Sequence, residues 1–375
     1  MQRIIILLCI LVLVQNANAQ FTLRLIVNEV ATKREDDIYV AGSFNNWSTN
    51  DLNYKLKPYG TSRRAIVLKD LPAGKYEFKF TRGRDKWETT SKGEEMANHE
   101  INLSEDASLN FKIEGWKDDF PDKPKLNTAT SQVGIIDTAF YMPQLDRKRR
   151  IWIYLPKNYS TAKKRYPVIY MNDGQNLFNE QTAAFGEWGI DEALDTIMQK
   201  TGKEAIIIGV DHGGDKRLSE YMPYAHEKYG KGEGSQYVDF IALTLKPFID
   251  KNYRTLKDSL NTYIAGSSLG GLISIYALAK YPNVFAGVGI FSPAFWVAPS
   301  IYGEIENTKW STQKRLFFYA GGKESNDMIP DMNKMVEEIK AKGSFNIRSV
   351  IDPLGMHNEA NWREEFPVFY NFILN

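Results

Sequence analysis

Residues 261–272 read NTYIAGSSLGGL. An apolar run, Tyr263-Ile264-Ala265, leads into two adjacent serines surrounded by glycine, and GLISIYALAKY follows as a helix candidate. Gly266-Ser267-Ser268-Leu269-Gly270 fits G-x-S-x-G, the strand, sharp turn and helix order that raises a serine hydroxyl above a sheet. In this register Ser268 is the candidate nucleophile and Ser267 fills the turn. Glycines two positions to either side let neighbouring backbone approach without a clash of Cβ atoms. The N–H of Leu269, at the start of the helix, points to where a tetrahedral oxyanion would form.

A serine hydroxyl needs a base, and histidine is the natural one near neutral pH. The chain offers His99, His212, His226 and His357. Only His357 follows the serine, as the nucleophile, acid, histidine order requires. It lies in DPLGMHNEANW, between the last strand candidate and a helix. The acid belongs in a loop between Ser268 and His357, and RLFFYAGGKESND supplies it: Glu324 follows the Gly-Gly turn directly, while its rival Asp327 could cap the next helix, MIPDMNKMVEEIKAK. Asp352 is a weaker candidate. A second oxyanion donor comes from YPVIYMNDGQNLF, where a strand ends in Asn172-Asp173-Gly174 and the backbone of Gln175 is placed to donate. No His-Glu-x-x-His and no cysteine cluster is present, so neither a metal site nor a cofactor is expected.

Around the serine, strand candidates at 151–155, 168–171, 205–210, 263–265, 288–291, 316–320 and 347–351 alternate with helical runs. This predicts a mostly parallel sheet with helices on both faces. In SQYVDFIALTLKPFIDKNY, Val238, Ile241, Leu245, Phe248 and Ile249 share an apolar face, and Pro247 should kink or end the helix. From Phe21 to Trp116 the pattern instead has a period near two, punctuated by Pro72, Gly74, Gly83 and Gly93, which predicts a small all-β sandwich over residues 20–116. The charged, then proline-bearing, then polar stretch 117–132 reads as an exposed linker, leaving 133–375 as the α/β domain.

The first residues, MQRIIILLCILVLVQNANAQ, combine Arg3, a short apolar core and Ala17-Asn18-Ala19, the pattern of a signal peptide spanning 1–19. Export to the periplasm or the medium is therefore expected, with no membrane span in the mature chain. Cys9, the one cysteine, would leave with that segment, so no disulfide would form. Without Arg3 the balance becomes 46 basic against 46 acidic residues, which argues against a nucleic-acid or anionic-membrane partner.

On these motifs the second domain resembles the putative esterase family of α/β-hydrolases, which includes enterochelin esterases, antigen 85 mycolyltransferases and the feruloyl and acetylxylan esterases. Its carriers are MPQLDRKRRIWIYLP, YPVIYMNDGQNLF, GEWGIDEAL, AGSSLGG, FSPAFW, YAGGKES and MHNEANW. The resemblance implies Ser268 as nucleophile, Glu324 as acid, His357 as base, and the backbones of Gln175 and Leu269 as oxyanion hole. The first domain looks like an immunoglobulin-like glycogen- or starch-binding module, through AGSFNNW, AGKYEFKF and DKW. That resemblance implies stacking of glucose rings on Trp47 and Trp87, with Lys79 and Asn98 bonding hydroxyls; a purely structural role is the alternative, with Trp47 in the core.

Together these readings predict an exported serine esterase acting on a small or carbohydrate-borne ester such as an acetyl or feruloyl glycan. Acyl transfer to a sugar, hydrolysis of a trilactone siderophore, and non-catalytic glycan binding are the alternatives. Trp188, Phe295 and Trp296 are candidates for pocket walls or for packing, and His212 and Arg217 could border the cleft.

Overall fold

The computed structural model describes residues 20–375 except 85, 121–123, 228 and 311–313. The expected signal peptide lies outside the described residues. The described residues divide into two compact units, with the second beginning at Pro124.

In the first unit β1 (Gln20–Val30), β2 (Tyr39–Gly42), β3 (Lys57–Tyr59), β4 (Arg63–Pro72), β5 (Gly74–Thr81), β6 (Glu88–Thr89), β7 (His99–Leu103), β8 (Ala107–Ile113) and β9 (Gly115–Trp116) form two main sheets, ordered β3-β4-β1-β8 and β2-β5-β7, and a small β6-β9 pair. Alternate residues of both main sheets, among them Leu23, Leu25, Ile66 and Leu68 from one and Val40, Phe78 and Phe80 from the other, share one buried cluster.

The stretch expected as a linker is divided between the units. A 3-10 turn at Lys117–Asp119 belongs to the first, where Asp118 and Asp119 pair with Lys33. From Pro124 the chain joins the second, held by Thr128 Oγ1 donating to Glu187 and the Thr130 N–H to Asp191. Hydrogen-bonding partners for these small polar residues, which composition cannot supply, order the segment.

The second unit carries an eight-stranded sheet, ordered β10-β11-β13-β12-β14-β15-β16-β17. Its members are β10 (Val133–Met142), β11 (Arg147–Tyr154), β12 (Val168–Asn172), β13 (Ile206–Val210), β14 (Thr262–Ser267), β15 (Gly287–Phe291), β16 (Arg315–Gly321) and β17 (Asn346–Asp352). β12 through β17 run parallel, while β10 and β11 add an antiparallel edge. Strand β10 was not foreseen, since its sequence VGIIDTAFYM breaks the alternation and its register slips twice against β11.

The central strands read as unbroken apolar runs because both faces are covered. Ile206 and Ile208 enter one core cluster and Ile207 the other; Val168 and Tyr170 separate from Ile169 and Met171 in the same way. Helices α1 (Ile190–Thr201) and α8 (Glu359–Ile373) cover one face. The opposite face takes α3 (Gly234–Asp239), α4 (Lys246–Asn252), α5 (Leu269–Lys280), α6 (Ser300–Asn307) and α7 (Met328–Lys342), while the short α2 (Arg217–Tyr221) places Tyr221 in the same cluster.

Pro247 neither ends nor interrupts the helical run. Residues Phe240–Leu245 widen into a π-turn between α3 and α4, and Pro247 falls in the first turn of α4. A proline ring crowds the carbonyl four residues before it, and the wider i→i+5 winding relieves that contact. Val238, Ile241, Leu245 and Ile249 are buried as expected, whereas Phe248 sits at the exposed margin.

Candidate active site

The parallel strands end on one edge, and the residues that follow them build the site, as the carboxyl edge of an open α/β sheet predicts. Ser268 follows β14 with φ 58° and ψ −123°, outside the regions an L-residue ordinarily occupies. Its N–H donates to Phe291 O at 2.8 Å, and its carbonyl accepts from Gly271, Leu272 and Ala294. A Cβ on Gly266 would lie 2.9 Å from the Gly270 backbone, so the two glycines make the turn sterically possible. Ser267 is the last residue of β14 and is buried, which places it in the strand rather than in the turn.

Glu324 follows β16 and His357 follows β17. His357 Nδ1 and Glu324 Oε2 are 2.6 Å apart, with the Glu324 side chain 1% exposed. Glu324 Oε1 accepts from the Gly321 N–H and from Ser292 Oγ, each at 2.7 Å. The two loops meet because glycine permits it: a Cβ on Gly321 would stand 2.4 Å from the Gly355 carbonyl, and one on Gly322 2.7 Å from Pro353 O. Between the rival carboxylates, geometry separates the roles. Asp327 stands at the N-cap position of α7, and Asp352 accepts the Leu354 N–H within its own turn. Among the described residues no hydrogen bond joins Ser268 Oγ to His357, whose ring is partly exposed.

After β12, Asp173 adopts φ 57° and forms a two-pronged ion pair with Arg217, at 2.7 and 2.9 Å. The Asn172 side chain donates to Ala265 O, Gly270 O and Ser274 Oγ and accepts from Tyr237 OH. Gly174 leaves no room for a side chain, since a Cβ would meet Val210 N at 2.8 Å. Gln175 Oε1 accepts the His212 N–H. Thus His212 and Arg217 brace the loop that carries Gln175. Neither the Gln175 N–H nor the Leu269 N–H donates a hydrogen bond among the described residues, so both remain available to an oxyanion.

MHNEANW also has a mechanical reading that spacing could not reveal. Asn361 Oδ1 accepts the Met356 N–H, and Asn358 caps α8 by accepting from the Asn361 N–H. The Glu359 carboxyl, raised above its usual range by burial, accepts from Asn176 Nδ2 and so ties the histidine loop to the Gln175 loop. The Trp362 and His357 rings meet in a T-shaped contact with centroids 5.2 Å apart, and the Trp188 ring lies tilted against Trp362 at 5.6 Å. Trp188 and Phe295 are core residues, whereas Trp296 is 47% exposed. Among the described residues no cluster of His, Cys, Asp and Glu could hold a metal ion, and no helix is long and apolar enough to cross a membrane.

In the first unit Trp47 is 37% exposed and therefore not core. It meets Trp87 edge-on, with centroids 6.5 Å apart. Lys79 is buried with its ammonium 3.6 Å from Glu95, and the Asn98 amide donates to Glu77.

A family model described as Putative esterase matches residues 143–371, more than half of the chain and the whole of this constellation. The chain belongs to that family. Ester hydrolysis is accordingly its reaction class. The esterase is 29% identical over 212 residues to YbbA, an uncharacterised Bacillus subtilis protein, covering 52% of this chain and 79% of that one. It is 27% identical over 233 residues to an endo-1,4-beta-xylanase/feruloyl esterase of Xylanibacter ruminicola, covering 61% of this chain but only 30% of that protein. Among solved structures, the enterobactin esterase of Shigella flexneri superposes with a TM-score of 0.53 at 15% identity, covering 90% of this chain and 88% of its own, a likeness of fold.

Proposed function

We propose that this esterase is an exported serine hydrolase removing an acyl group from a hydroxyl-rich, carbohydrate-like alcohol. The observation that carries the reading is the 2.6 Å contact between His357 Nδ1 and buried Glu324, taken together with a serine held in the strained strand-to-helix turn on the same sheet edge. A carboxylate accepts only, so Nδ1 bears the proton and Nε2 keeps the lone pair a base needs. Ser268 Oγ attacks the ester carbonyl as Nε2 takes its proton. The oxyanion lies against the N–H groups of Gln175 and Leu269, and collapse expels the alcohol, protonated by His357. Water, deprotonated by the same nitrogen, then attacks the acyl-enzyme, releasing the acid and restoring Ser268. A fluorophosphonate probe followed by peptide mass mapping should place one adduct on Ser268; a folded protein that takes no adduct there sinks the mechanism.

A cavity of about 520 Å³ lined in part by Asn358, the residue that follows His357 in the chain, supports the hydroxyl-rich alcohol. Glu180, Glu187 and Glu192 line it, with Arg363 already paired to Glu187, and Phe185 stands at its side 83% exposed. Carboxylates accept from sugar hydroxyls and repel an anionic ligand, while an aromatic face suits the apolar face of a pyranose. Phe185→Ala should raise KM for a feruloylated oligosaccharide about fivefold and leave p-nitrophenyl acetate unchanged, since such a ring contributes about 1 kcal/mol. Equal effects on both substrates would refute the assignment.

The pair of exposed Trp47 and half-buried Trp87 extends the reading to glycan retention by the first unit, with Lys79 and Asn98 released from their carboxylates to meet hydroxyls. Trp47→Ala and Trp87→Ala should each abolish retardation of the chain in glycogen-containing native gels. Unchanged mobility of the wild type with and without glycogen would remove glycan binding from the proposal.

A further inference from the structure

Ser292, in FSPAFW, is fully buried and takes φ 44°, in the left-handed region that serine rarely occupies. It follows β15, the strand between those that carry Ser268 and Glu324, and its N–H donates to Tyr319 O at 2.8 Å. Trp362 Nε1 lies 2.9 Å from Ser292 Oγ, and Ser292 Oγ lies 2.7 Å from Glu324 Oε1. Chemistry gives these contacts one direction. An indole N–H can only donate and an ionised carboxylate can only accept, so Ser292 Oγ accepts the hydrogen bond from Trp362 and must aim its own hydrogen at Glu324.

We propose that Ser292, oriented by Trp362, is a positioning residue for the acid. It locks Oε1 of Glu324 so that Oε2 alone faces His357 Nδ1. This inference rests on the assignment of Ser268, Glu324 and His357 above. Trp362 holds the pair from both ends, since its ring meets that of His357 in a T-shaped contact while its N–H orients Ser292. The unusual backbone at Ser292 brings the short side chain under the carboxylate, a placement an extended residue at the strand end would not achieve.

Ser292 also moderates the charge felt by His357. With its hydroxyl removed, the buried carboxylate loses one of its two other donors, and its unscreened charge holds a proton on the pair more tightly. The remaining titratable and charged groups around the pair are unaltered by such a change. Among them are Glu359 at the start of α8; Asp173 after β12; Lys323, next to Glu324; Tyr319 on β16, raised by burial; Asp352 and Arg348 on β17; and Glu364 and Glu365 on α8, the latter pushed up to about 7 by burial. Because they are common to every variant, the difference between pH profiles isolates Ser292.

The test follows p-nitrophenyl acetate hydrolysis from pH 5 to 9 for the full chain, Ser292→Ala, Ser292→Gly and Trp362→Phe, with melting curves. Ser292→Gly relieves the backbone at φ 44° and thus separates a hydroxyl effect from misfolding. Both Ser292 variants should lose about tenfold in kcat with KM within twofold, and the acidic limb of kcat/KM should rise by about one pH unit, the weight of a charge-assisted hydrogen bond. Trp362→Phe keeps an aromatic edge near His357 and should shift the limb in the same direction by less. Folded Ser292 variants whose profile superimposes on the wild type overturn the inference, whether or not kcat falls. Retained activity in Ser268→Ala would instead break the parent assignment, so the two failures are distinct.

Discussion

Ser268→Ala is expected to lower kcat/KM for p-nitrophenyl acetate by roughly ten-thousand-fold or more, with the melting curve little changed. Without the hydroxyl no acyl-enzyme can form, and only binding and the two backbone N–H groups remain to assist water. The neighbouring serine is the internal control. Ser267 ends β14 and is buried there, so its side chain belongs to the packing of the strand end and not to the half-buried turn. Ser267→Ala should therefore keep activity within about threefold, as expected for a change outside the reacting groups. Comparable losses in both variants would mean that the turn, and not one hydroxyl, had been damaged, and the assigned register would fall.

Glu324→Gln should lose about ten-thousand-fold in kcat while remaining folded, because the new amide is held the wrong way round. The Oε1 position is surrounded by donors, the Gly321 N–H and Ser292 Oγ–H. A glutamine there must place its carbonyl oxygen against those donors and turn its NH2 toward His357 Nδ1. His357 then has to accept at Nδ1, carry its proton on Nε2 and lose its capacity as a base. Glu324→Asp should suffer less, since the charge persists but the shorter arm cannot span both Gly321 and His357. Asp327→Asn, by contrast, should change activity by less than about twofold, as its carboxylate only sits at the head of α7. A strong loss in Asp327→Asn with retention in Glu324→Gln would reverse the assignment of the acid.

Ser268 and the strand-helix order around it were legible locally, because an elbow is a local motif: glycine spacing, an apolar lead-in and a helical run lie within a dozen residues. His357 was legible by elimination, since few histidines exist and only one follows the serine. Glu324 and Asp327 could not be separated with the same force, because both follow one turn and the decision depends on how β16 and β17 close against each other at Gly321, Gly322 and Gly355. Ser292 left no signal of its own. A serine before a proline is ordinary, and its part becomes visible only when Trp362, 70 residues away, lies on one side of its hydroxyl and Glu324 on the other.

The same division runs through the fold. Unbroken apolar strands separated by helical runs determined a covered parallel sheet, since backbone hydrogen bonding and burial on both faces leave few other arrangements. Period-two patterning likewise determined a separate β unit before it. Tertiary structure alone decided that Pro247 sits within a continuous helical run, that β10 joins the edge, and that the presumptive linker is shared between the units, because each outcome depends on partners distant in the chain. Local sequence thus determined which residues were candidates to react. Which carboxylate meets the histidine, and what holds it there, was decided by side chains that only the folded sheet brings within hydrogen-bond distance.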